Sequence, residues 1–127
     1  MFISLANSVW DTIKQMKILL ILFLFSGGLL VLLSLPLLNN QIRPNGLYGF
    51  RVKKTLENPE IWYAVNQHFA WRLLWTGLAV LVASALLYLV PGLSEDQYAL
   101  AVLVVLLGFL FTGLIQSIRF MRKLPPG

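Results

Sequence analysis

The sequence predicts an all-α membrane protein: three transmembrane helices, an interfacial helix at the N-terminus and a second interfacial helix in a polar loop over 39–72. Three observations predict it. Residues 18–38, 73–90 and 98–118 contain no Asp, Glu, Lys or Arg, and each run has about the 17–25 residues that a helix needs to cross a ~30 Å hydrocarbon core. The whole chain is 58% hydrophobic and 12% charged, where soluble domains average roughly 45–50% and about 25%. The runs also lack the alternation of a barrel strand, and backbone in lipid closes its hydrogen bonds only in a helix or a barrel. Residues 1–127 therefore read as one three-helix domain of the cell membrane.

Ahead of the first run, Phe2, Leu5, Ala6, Val9, Trp10, Ile13 and Met16 fall at helical spacing, with Ser4, Asn7, Asp11, Lys14 and Gln15 opposite. That pattern suits a helix lying in the interface plane. The other reading is a loose extension before a start at Met16. The run itself is longer than the ~7–15-residue core of a secretory signal, and "PLLNNQ" after it offers no small-residue cleavage site, so it reads as a retained span.

The loop opens with Pro44-Asn45-Gly46, a turn signal in which proline sets φ and Asn-Gly tolerates positive φ. Gly49 lies in a short extended or irregular run and allows close backbone approach. Asn58-Pro59-Glu60 is a helix start: asparagine caps, proline suits the first helical position and glutamate suits the positive end of the dipole. A helix from about Pro59, with Ile61, Trp62, Val65 and Phe69 on one side, is predicted to lie along the interface and then bend or run into the second span. Tyr48, Phe50, Trp62, Tyr63, Phe69, Trp71 and Trp75 form the aromatic belt of that boundary. Within the spans, Ala79, Ala83, Gly108 and Thr112 are read as close-packing surfaces between helices.

Charge sets the predicted orientation. Of ten Lys and Arg, only Lys14 and Lys17 lie on the side of the N-terminus and the 91–97 turn; Arg43, Arg51, Lys53, Lys54, Arg72, Arg119, Arg122 and Lys123 lie on the side of the loop and the C-terminal tail. The positive-inside rule then puts the N-terminus outside and the loop and tail in the cytoplasm. Basic residues that flank spans are explained by orientation and by the lipid bilayer, so no nucleic-acid partner is expected.

At the loop the sequence resembles the SdpI family of small bacterial membrane proteins. The segment "RPNGLYGFRVKKTLENPEIWYAVNQHFAWRLLWTG" keeps the spacing of Pro44, Asn45, Gly49, Arg51, Thr55, Trp62, Asn66 and Gly77, and departs at Gln67, where arginine is frequent, and at Ala70, where glycine is common. The resemblance implies an immunity protein against a membrane-active peptide toxin, or a receptor that holds a winged-helix repressor at the membrane, with Pro44, Asn45, Gly49, Arg51, Thr55, Trp62 and Asn66 as the partner-binding signature.

Read from the residues alone, Arg51 either locks the loop, by stacking on an aromatic ring or pairing with Glu57 or Glu60, or contacts a partner. Trp62 and Asn66 share one helix face and divide in the same way; with Arg51 they are expected to form one patch. His68 is the single histidine and there is no cysteine, so neither a metal site nor a Ser-His-Asp triad assembles within one chain. No phosphate-cradling or paired-carboxylate motif is found. The chain is expected to have no cofactor and not to be an enzyme. Two functions remain: toxin immunity and signal transduction, or a structural subunit of a larger membrane complex or homo-oligomer.

Overall fold

The computed structural model describes residues 2–125. Four helices follow in chain order: α1 (Phe2–Leu38), α2 (Lys53–Glu57), α3 (Pro59–Tyr88) and α4 (Glu95–Lys123). The first, third and fourth are long and apolar enough to cross a membrane, and no strand occurs among the described residues. The all-α class is therefore what forms, and the chain is a multi-pass membrane protein.

The helix ends follow from side-chain chemistry. α1 contains Pro36 in its last turn and then stops in a Schellman motif. Asn40 takes φ 56°, its N–H donates to Leu37 O at 3.3 Å, and the Gln41 N–H reaches Pro36 O at 2.9 Å; asparagine is the residue after glycine that tolerates this left-handed position. α3 begins as expected: Asn58 Oδ1 accepts from Glu60 N at 2.9 Å, with Pro59 and Glu60 in the first turn. α4 opens with a capping box in which Ser94 Oγ accepts from Gln97 N at 3.1 Å and Gln97 Oε1 accepts from Ser94 N at 3.0 Å.

The two expected interfacial segments are refined by these boundaries. Residues 2–16 are the outer turns of a 37-residue α1, because neither Gly nor Pro interrupts the chain before Gly27. The helix from Pro59 likewise continues without a break to Tyr88. Its buried positions, including Trp62, Val65, Ala70, Leu73, Gly77, Val80 and Ser84, form one helical stripe from end to end, so packing favours a single rod over a bend. The loop proper is 39–58, and α2 is its only helix.

α3 lies between α1 and α4, which meet each other mainly where Phe23 packs against Tyr98. A close approach of α1 and α3 occurs at two glycines: a Cβ at Gly77 would stand 2.8 Å from Gly27 O, and one at Gly27 would stand 3.0 Å from Gly77 O. On the other side of α3, a Cβ at Gly113 would stand 2.8 Å from Arg72 Cβ. These three glycines are the close-packing points, whereas a Cβ at Gly108 would meet nothing within 4 Å and Thr112 is exposed. The expected packing role of Gly108 and Thr112 is corrected accordingly: both face an open cleft. Two apolar clusters close the ends of the bundle. Phe23, Val80, Tyr98 and Val102 form the one beside the 89–94 turn, and Phe50, Ile61 and Val65 form the one under the loop.

Candidate functional site

The loop is built around side-chain amides. Asn45 Oδ1 accepts from Leu47 N at 2.8 Å and Tyr48 N at 2.7 Å, while its Nδ2 donates to Arg43 O at 2.7 Å and Tyr48 O at 3.0 Å. All four bonds hold the reversal after Pro44, so the turn depends on the asparagine side chain. Neither Asn45 nor Gly46 takes a positive φ; beyond this turn Gly49 does, at φ 114°. Tyr48 then ties the loop to the end of α1 by donating its hydroxyl to Leu33 O. Burial pushes the Tyr48 phenol up.

Gly49 brings the chain onto α3. A Cβ there would stand 2.8 Å from Asn66 Oδ1 and 3.1 Å from the Trp62 ring. This proximity lets Asn66 Oδ1 accept the Phe50 N–H at 2.5 Å, while Asn66 Nδ2 donates to Trp62 O at 2.9 Å. Trp62 Nε1 donates to Ile42 O at 2.8 Å. Thr55 Oγ1 donates to Phe50 O at 2.9 Å and accepts Val52 N at 3.0 Å. Trp62 and Thr55 are 0% exposed and Asn66 2% exposed, so these polar atoms serve the loop itself, and unpaired they would each be costly.

Arg51 is placed differently. Trp62 and Asn66 do share a face, but it is turned inward beneath the loop, while the Arg51 side chain is exposed. Arg51 lines a groove of about 480 Å³ between the loop and α4, with Phe69, Leu114, Ile118 and Met121 as apolar lining and the exposed Arg122 beside it. Among the described residues, neither Glu57 nor Glu60 forms an ion pair with it. Its neighbourhood is a cationic edge on an apolar trough.

Three further residues belong to this end of the molecule. Lys54 Nζ donates to Met121 O at 2.9 Å and Leu124 O at 2.8 Å, capping the C-terminus of α4, where a cation meets the negative end of the helix dipole. Sequence reasoning missed this because the partners are 67 and 70 positions away. Gln67, one of the departures from the family pattern, donates to Leu38 O at 3.2 Å. His68 stacks on Phe120 with ring centroids 4.4 Å apart, and its Nδ1 lies 3.1 Å from Ser117 Oγ. Among the described residues no group of three His, Asp or Glu is placed to hold a metal.

A three-helix membrane fold with a hydrogen-bonded loop clamped on its central helix thus defines the class. The sequence profile of the SdpI/YfhL protein family matches residues 41–116, more than half of the chain, and the chain belongs to that family. No curated protein and no solved structure gives a match. The matched region opens at the loop and takes in all of α3 and most of α4, leaving α1 outside.

Proposed function

We propose that this protein is a binding protein of the toxin-immunity and sensing type, non-catalytic, in which the outer face of the loop meets a cytoplasmic regulator or a membrane-active peptide. The observation that carries the reading is the division of labour in the signature. Asn45, Gly49, Thr55, Trp62 and Asn66 are engaged in holding the loop, whereas Arg51 stands exposed at an apolar groove. A guanidinium beside an apolar trough suits a partner segment with an acidic group next to a hydrophobic one. The charge distribution supports a cytoplasmic loop and an external N-terminus.

A second reading, a subunit of a larger membrane assembly, is favoured by the outer turns of α1, where Phe2, Ile3, Val9 and Trp10 are 89%, 78%, 57% and 62% exposed. A bacterial deletion strain, challenged with peptide toxin from its own or a neighbouring strain and compared with a mild-detergent pull-down, tests the choice. Increased sensitivity supports immunity. Unchanged sensitivity together with a stoichiometric complex supports assembly.

A further inference from the structure

A second cleft, separate from the loop groove, runs along α3 and α4 with a volume of about 610 Å³. One end holds Arg72 and Gln116; the other reaches Val104. From residue 116 to residue 104 a helix rises ~18 Å, a little over half of the ~30 Å hydrocarbon core. Trp75, 55% exposed, lines the Arg72 end, as suits a residue at headgroup level.

Arg72 makes this cleft more than an unpartnered apolar face. Its Nε is buried and has no hydrogen-bond partner among the described residues, and no acid lines the cleft. Gly113 lets α4 pack against the Arg72 stem, and the open space at Gly108 leaves the trough unfilled further in. The cleft thus offers a cation that lacks an anion at one end and an acyl-length trough behind it. We propose that it holds one acyl chain of an anionic phospholipid, with the lipid phosphate on Arg72.

The test uses purified full-length protein in detergent, titrated with dioleoyl phosphatidylglycerol or dioleoyl phosphatidylcholine and read by native mass spectrometry. Wild type should bind the anionic lipid about fivefold more tightly, as expected for one arginine at ~1 kcal/mol. Arg72→Gln should bring the two lipids level, while Lys14→Gln, at the opposite end of the molecule, should keep the preference. Gly108→Leu, which adds bulk where a Cβ would meet nothing within 4 Å, should fill the trough and weaken both lipids together. Equal affinity of wild type for the two lipids, or a preference that survives Arg72→Gln, would overturn the proposal. Should Arg72→Gln fail to fold, undiminished binding of both lipids by Gly108→Leu would overturn it.

Discussion

Asn66 accepts the backbone N–H of Phe50 across sixteen positions of sequence, at 2.5 Å, inside a site where Asn66 is only 2% exposed. One side chain thereby fastens the loop to the central helix. Asn66→Ala leaves that N–H buried and unpaired, at a cost of ~1–3 kcal/mol. Thermal unfolding in detergent should show a clear fall in melting temperature, with lower membrane abundance. A variant as stable as wild type would show that this bond does not hold the loop.

Gly49 and Gly92 both have positive φ, 114° and 85°, yet only Gly49 is crowded. Alanine at Gly92 meets the backbone penalty alone, ~1–2 kcal/mol. Alanine at Gly49 adds a clash with Asn66 Oδ1 and Trp62, and should be the more destabilising of the pair. Equal melting temperatures for the two variants would contradict the close approach.

The Gly27–Gly77 contact makes a similar demand within the membrane. Gly77→Leu should force α1 away from α3 and lower the yield of folded protein, whereas Gly28→Ala, with nothing within 4 Å, should be neutral. Size-exclusion profiles of the two variants check this.

Lys53 and Lys54 are neighbours with different expected sensitivities. Lys54→Met removes the cation that caps α4 and should cost about 1 kcal/mol; Lys53→Met, at an exposed position, should stay within about 0.5 kcal/mol. Unfolding midpoints of the two variants give the comparison.

Orientation can be read directly because the chain has no cysteine. With single cysteines introduced as Ser94→Cys and Lys53→Cys, an impermeant thiol reagent added to intact cells should label the first and spare the second. The reverse pattern would invert the topology.

The spans and the α3 start were legible because their signals are local: charge-free runs, and Asn58-Pro59-Glu60 read as cap, first turn and dipole partner. Gly49 was legible as a close-approach residue for the same reason. What that approach serves, the Phe50–Asn66 bond, joins the loop to the middle of a helix, and no local pattern encodes it. The inward turn of Trp62 and Asn66 was hidden likewise: an i, i+4 pair defines a face, but only tertiary packing decides where the face points. The unbroken run of α1 through residues 2–16 was concealed by amphipathic spacing, which looks alike in an interfacial helix and in the outer turns of a longer one.

In the function proposed above, the signature folds the loop and leaves Arg51 for a partner. The most direct test of that proposal is Arg51→Gln expressed in a deletion strain, with membrane abundance and survival under peptide toxin measured in the same cells. Abundance close to wild type with tolerance lost is the result expected of this proposal. Normal abundance with full tolerance would contradict it.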